Sequence, residues 1–250
     1  MKKSFNAQIL YSLIGVVVLF LLWLLFYLVV KNDYVMPSPL AVIQKALTLT
    51  VDGEFYNSLL STILRVLIAT LLSLAVSTAL ALLSVFFKGF GGVLAPIMAT
   101  LRALPTLAVL LLILTFTKRT FSPVIVAVIS LIPLAFSKIY GDLTKLNSSI
   151  SPIFKTFEVP TTKQVCVYLK GVIPCVIKEF FNHASFALKL IVSSEILAKV
   201  YKSIGGNIEQ ASLYSDTILL TALTFWICVI GIVLEVVGNA IAVKTEAKYL

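Results

Sequence analysis

The stretch Ser148–Gly171, SSISPIFKTFEVPTTKQVCVYLKG, carries four charges and two prolines. It lies between hydrophobic runs long enough to cross a membrane, so its reading decides how the chain is organised. Ser151-Pro152 reads as an N-cap followed by proline at the first helical position. The helix it opens places Ile153, Phe154 and Phe157 on roughly one side. That helix is expected to end near Val159-Pro160, because the residue before a proline is pushed out of the helical region. A second start follows at Thr161-Thr162-Lys163-Gln164, which fits a capping box with Thr161 capping and Gln164 reaching back. Beyond it Val165, Tyr168, Leu169 and Val172 recur at helical spacing, with Lys163 and Lys170 together on another face. The pattern predicts an amphipathic helix on the inner membrane surface, its lysines near lipid headgroups. Two readings remain open for the segment: a solvated loop held by its lysines, or a docking hairpin that offers aromatic anchors to a cytoplasmic partner.

The rest of the chain sets that segment in lipid. Of 250 residues, 60% are hydrophobic and 12% charged, with a mean hydropathy of +1.06. Soluble domains are nearer 45–50% apolar and about 25% charged. The length suits one integral-membrane domain. A net charge of +9 and a pI of about 9.5 would suggest nucleic acid on a soluble protein. Here the arrangement of the charges matters more than their sum, and no nucleic-acid partner is expected.

A span needs about 20 mostly apolar residues. Six segments qualify or nearly do: Ile9–Val30, Asn57–Phe87, Gly92–Thr117, Phe121–Ile139, Val176–Ala198 and Thr217–Val243. The first, preceded by Met1-Lys2-Lys3, is longer than a signal h-region of about 7–15 residues and is expected to be a retained span. With the N-terminus in the cytoplasm, Lys2, Lys3, Lys88, Lys138, Lys145, Lys155, Lys163, Lys170, Lys178, Lys244 and Lys248 fall inside. Outside are Lys31, Lys45, Lys118, Arg119, Lys199 and Lys202, nearly balanced by Asp33, Asp52, Glu54, Glu209 and Asp216. Eleven basic residues against six obey the positive-inside rule, which puts the opening stretch in the cytoplasm. The expected fold is all-α: a multi-pass membrane protein of about six transmembrane helices with a polar cytoplasmic loop.

Within the second span, Thr70, Ser73, Ser77, Ala81 and Ser84 step by three and four. Small residues on one face let helix backbones approach closely in lipid. Intramembrane charges are functional candidates, since each is costly unless paired. Counting about 1.5 Å per residue from Gly92 puts Arg102 roughly 15 Å deep. Pro105, three residues on, is expected to kink the helix, and kinked helices with freed backbone groups line substrate sites. Lys189 is similarly deep, and Glu195 lies nearer the outer end of its span. These residues either contact solute or form a structural ion pair, Arg102 or Lys189 with Glu195. Arg65 and Glu235 are close enough to span ends to snorkel.

Outside, Ser38-Pro39 opens a short helix with Leu40, Ile43 and Leu47 on one side, expected to rest on the outer membrane face. The loop Ala198–Asp216, where Gly205-Gly206 permits a sharp turn, is either a partner contact or a plain connector. Cys166, Cys175 and Cys228 lack metal-like spacing and read as free thiols, and His183 reads as a packed or interfacial residue. No GxxxxGK[ST] phosphate loop occurs, so nucleotide hydrolysis is not expected of this chain.

Several stretches resemble the permease subunit of binding-protein-dependent ABC importers, in the nitrate, sulfonate, taurine and thiamine-precursor group. MPSPLAVI (Met36–Ile43) is similar to the entry that precedes the core. SLLSTILRVLIA (Ser58–Ala69), with Arg65, resembles the start of the second core helix, and LRALPTLAVLLLILTF (Leu101–Phe116) the arginine-then-proline third helix. LKLIVSSEILAK with SIGGNIEQASLYSDT (Leu188–Thr217) resembles the late helix and the loop after it. The likeness runs from about residue 34 to 240, and its specificity rests on the order and spacing of the motifs.

That resemblance implies a type I importer permease fold, divided into an N-terminal helix and cytoplasmic start (1–33), an extracytoplasmic amphipathic segment (34–56) and a transmembrane core (57–250) with a coupling loop (140–175). It implies a cell-membrane protein that carries solute but is no enzyme itself and binds no cofactor, ATP and Mg being held by a partner. The implied partners are a second permease subunit in a homodimer, two cytoplasmic ABC ATPases, an extracytoplasmic solute-binding protein and the lipid bilayer. Ile153, Phe154, Phe157, Glu158, Val159, Pro160 and Thr161 would form the coupling contact with the ATPase, and Arg102, Pro105, Lys189 and Glu195 the translocation path or an intramembrane ion pair. The segment departs from the family's coupling motif: it has no Glu-Ala-Ala, and EVPTT stands where a glycine turn is usual.

Two rival functions make demands that these residues do not meet. An ATP-independent carrier or channel needs an internal repeat or a chain of intramembrane ionisable groups; no clear repeat is present and buried charges are few. A membrane-embedded enzyme needs a nucleophile, base or metal constellation, which one histidine and unclustered carboxylates do not supply.

Overall fold

The polar stretch Ser148–Gly171 is a bend joining two long helices. This is seen in a computed structural model that describes the backbone of residues 2–87 and 89–249, and the side chains of 14–241 except 16 and 88. The side chains of Lys2, Lys3, Lys88, Lys244 and Lys248, counted above on the inner side, lie outside the described residues. In chain order the helices are α1 (Lys2–Val30), α2 (Pro39–Leu49), α3 (Gly53–Phe86), α4 (Phe90–Ala103), α5 (Thr106–Phe116), α6 (Ser122–Thr156), α7 (Thr161–Ala198), α8 (Ile204–Leu213) and α9 (Thr217–Tyr249). No strand occurs among the described residues.

Among the described residues three helices, α3, α6 and α9, are long and apolar enough to cross a membrane, or four crossings if the bent pair α4–α5 counts as one. That is fewer than the six expected. In α1 the described apolar run is the shorter Val17–Val30. In α7, Asn182, His183, Lys189 and Glu195 dilute the apolar C-terminal half.

The small-residue stripe of α3 is the packing seam its spacing predicts. Thr70, Ser73, Ser77 and Ala81 are fully buried and Ser84 nearly so, and Ser77 Oγ donates to the Ile132 carbonyl of α6 at 2.9 Å. Two apolar cores form on either side of the bundle's middle. One, towards α8, gathers Val42, Val66, Leu131, Leu188, Ile191, Ile204 and Leu223. The other, towards the bend, gathers Leu74, Ala81, Phe136, Ile139, Leu143, Tyr168 and Val172.

The local starts and stops differ in part from their expected forms. Ser151 and Pro152 lie inside α6, because the chain already arrives there as helix and a proline in a continuing helix removes only one donor. The capping box does not form: Pro160 is the N-cap of α7 without a side-chain bond. Gln164 does reach back, but its Nε2 donates to the Val159 carbonyl at 2.7 Å. The inner amphipathic segment is not a separate helix either; it is the first part of α7, continuous through Pro174 to Ala198.

Pro105 has a larger effect than a kink. α4 and α5 meet at 92°, with Leu104 at φ −68°, ψ 129° and Pro105 at φ −66°, ψ 119°. Both residues are extended, as expected of a proline that cannot donate and of the residue it crowds. At the other end α2 starts as predicted, Ser38 Oγ accepting from the Ala41 N–H at 3.2 Å. Its Leu40, Ile43 and Leu47 are exposed while Val42 and Ala46 are buried. The connector after α7 folds as α8, so Gly205-Gly206 is not a turn. These glycines serve close approach instead: a Cβ on Gly205 would come within 2.7 Å of the Val192 carbonyl oxygen, and one on Gly206 would strike the Val200 carbonyl. The turn itself is made by Lys199 (φ 51°) and Lys202 (φ 53°).

Candidate functional site

Two groups of residues carry chemistry: the bend between α6 and α7, and the charges along the apolar helices. At the bend, α6 ends at Thr156, and the Phe157 N–H closes onto the Ile153 carbonyl at 3.0 Å. Glu158 takes the left-handed conformation (φ 47°), and the Val159 N–H returns to the Phe154 carbonyl at 3.0 Å. This is a helix stop made without the usual glycine. It is followed at once by Pro160, whose extended backbone aims the chain into Thr161 and α7.

The seven bend residues do not share one surface. Phe157 stands 75% exposed and Ile153 52%, and Glu158, Pro160 and Thr161 are also exposed. Phe154 turns inward, edge-on to Tyr168 at 6.0 Å, and Val159 is half-buried. Tyr168 donates to Asn147 Oδ1 at 2.5 Å, and burial pushes its hydroxyl above the usual range, so it stays a neutral donor. This anchoring gives Phe157 a rigid base. A hollow of about 540 Å³ beside it is lined by Phe86, Asn147, Phe154, Glu158 and Gln164, among others.

The intramembrane charges pair differently from expectation. Glu195 bonds to neither Arg102 nor Lys189. Its fully buried carboxylate accepts from Arg65 Nη1 at 2.7 Å, from Thr62 Oγ1 at 3.0 Å and from the Gly205 N–H at 3.1 Å. Thr62 Oγ1 in turn accepts from the Ile204 N–H at 3.0 Å. Arg65 is therefore the largely buried partner of a latch joining α3, α7 and α8, paired across helices instead of standing alone at a span end. Lys189 pairs with Glu235 of α9 at 3.4 Å, both well exposed. Arg102 donates to Ser137 Oγ at 2.8 Å, one turn before the Pro105 break.

A third group was missed in the sequence. Lys138 Nζ lies 2.7 Å from Glu179 Oε2, and His183 Nδ1 lies 3.5 Å from the same oxygen. The i, i+4 spacing of Glu179 and His183 was a usable signal; Lys138 joins them only through packing of α6 on α7. Among the described residues no group of three His, Cys, Asp or Glu is placed to hold a metal ion. No protein-family model matches the chain, and no curated protein matches it.

Proposed function

We propose that this chain is the membrane-embedded permease subunit of an ABC importer, with the α6–α7 bend as the surface pushed by a separate ATPase. The observation that carries the proposal is Phe157. A large aromatic ring stands exposed at the tip of a tight, backbone-bonded bend, joining helices of 35 and 38 residues. Exposed aromatics on rigid supports are typical interface anchors. A displacement at the tip would be carried by α6 and α7 to the Lys138–Glu179 and Arg65–Glu195 pairs, because stiff packed helices move as units.

In this reading the six-span type I arrangement includes α1 and α7 as crossings, in the cell membrane with the N-terminus and the bend in the cytoplasm. Two copies of the chain form the solute path, two ABC ATPases hold ATP and Mg, and an extracytoplasmic binding protein delivers solute. Phe157→Asp tests it: with ATPase and binding protein co-reconstituted in proteoliposomes, ATP hydrolysis should continue while ATP-driven uptake falls to background, with insertion unchanged. Normal uptake by that variant defeats the assignment.

A second reading, an ATP-independent carrier, draws on the three ion pairs along α3, α6, α7 and α9, which supply more intramembrane ionisable groups than their sequence positions suggested. Uptake by the chain alone, driven by a pH gradient, would favour it.

A further inference from the structure

Val85 and Phe86, at the end of α3, line the same hollow as Ser151 and Phe154 beside the bend. α3 and α6 therefore both finish on the bend side, and the chain returns to the far side between Phe86 and Ser122. The helices of that return are α4 and α5, roughly 21 Å and 17 Å long at about 1.5 Å per residue. Set at 92°, neither crosses alone. Together they reach about 27 Å end to end, close to the roughly 30 Å of a bilayer's hydrocarbon core. Their elbow thus falls near the middle of the membrane.

The elbow is not built for lipid. Leu104 and Pro105 are extended and no side chain caps α5. The last carbonyls of α4 and the first N–H groups of α5 lie outside either helix's own ladder. Leu104 is 44% exposed, and Arg102, Ala103 and Pro105 are exposed beside it. Arg102 Nη2 donates to Ser137 Oγ at 2.8 Å, and the Ser137 hydroxyl itself donates to the Pro133 carbonyl. The ion pairs along the apolar helices use Arg65, Lys138 and Lys189, so no carboxylate among the described residues neutralises Arg102. Irregular backbone at membrane depth persists only against protein or water, and an arginine there is costly without a partner or water. A second copy packed on the elbow about a two-fold axis would bring two such arginines together in a dry interface. Water is the surrounding that remains.

We propose that the α4–α5 elbow forms the wall of a water-filled passage, where Arg102, positioned by Ser137, sets a positive potential that admits anionic and neutral polar solutes in preference to cations. The passage is the solute path of the permease reading and rests on it; ATPase docking at the bend is not involved.

The test is cysteine accessibility on the full chain in lipid nanodiscs, in a background where Cys166, Cys175 and Cys228 are serine. The probes are the anionic sulfonatoethyl and the cationic trimethylammonioethyl methanethiosulfonates, which react with the thiolate. Leu104→Cys and Ala103→Cys should react at least about tenfold faster than Leu21→Cys on α1, where the native leucine is 55% exposed. Each unit by which an apolar setting raises a thiol pKa removes a factor of about ten in thiolate. Relative to the rates with mercaptoethanol, the anionic reagent should be favoured at Leu104→Cys. Arg102→Gln should cut that preference by about threefold, the size expected of one nearby charge in salt-screened water. Elbow rates equal to that of Leu21→Cys, whether lipid or a second copy covers the site, would overturn the proposal, as would a preference unmoved by Arg102→Gln. Should Arg102→Gln fail to fold, the reagent preference with Arg102 in place decides alone. An inert elbow in a chain that Phe157→Asp uncouples refutes the passage and spares the docking reading. A reactive elbow beside normal uptake by Phe157→Asp does the reverse.

Discussion

Glu195 sits with no solvent-facing surface and three kinds of donor around its carboxylate: a guanidinium, a hydroxyl and a backbone N–H. Removing one member of a buried pair leaves an uncompensated charge and costs about 3–5 kcal/mol, whereas replacing both by apolar residues is often close to neutral. Arg65→Leu is therefore expected to lower the unfolding temperature of the purified protein sharply, followed by the fluorescence of Trp226, which packs against Phe55 in the same core. Arg65→Leu combined with Glu195→Leu should recover most of the loss; a double variant as unstable as the single would show that the latch is not governed by charge. Gly205→Ala belongs to the same site, since its Cβ would press on the Val192 carbonyl and the Ile196 N–H. It should be as damaging as Arg65→Leu in the same assay, because the opposing atoms are backbone and cannot step aside.

Among the elements, α3 and α6 show how a membrane helix pair is specified. The seam at Ser73, Ser77 and Ala81 is fully buried, so Ser77→Leu should separate the helices and lose the bond to Ile132. Overpacking of this kind costs about 1–3 kcal/mol, which would be read as a lower midpoint in detergent unfolding; an unchanged midpoint would mean that α6 tolerates displacement. The bend obeys a different rule. Its shape rests on Glu158 in the left-handed region and on Pro160, so Glu158→Gly should relieve backbone strain and leave the fold intact or slightly more stable, by about 0.5–1 kcal/mol. Retained uptake in that variant, beside lost uptake in Phe157→Asp, would assign the coupling contact to the aromatic tip over the acidic one.

Across the whole molecule the two cores place the latch and α8 at one end and the bend at the other. The charge count on the sequence predicts a cytoplasmic bend, and single-cysteine labelling tests that directly. In a background where Cys166, Cys175 and Cys228 are serine, Phe157→Cys should react with a membrane-impermeant maleimide only in inverted vesicles, and Tyr214→Cys, 83% exposed on the native side chain, only in right-side-out ones. The opposite pattern would invert the topology and end the ATPase-docking proposal.

Hydropathy, the α3 stripe, the Ser38-Pro39 start and the break at Pro105 were all legible in the chain, because each depends on residues within a few turns of one another. The six spans were less secure, since a broken α4–α5 and a polar α7 cannot be told from plain crossings by composition. The partners of Arg65, Glu195, Lys189 and Lys138 were not legible. Each pair joins residues 41 to 130 positions apart, and which charges meet depends on how helices rotate about their axes to bury small residues. Local sequence thus determined the start of α2, the break between α4 and α5 and the buried stripe of α3. Only tertiary packing decided which charges neutralise each other, because that depends on which helix faces come together.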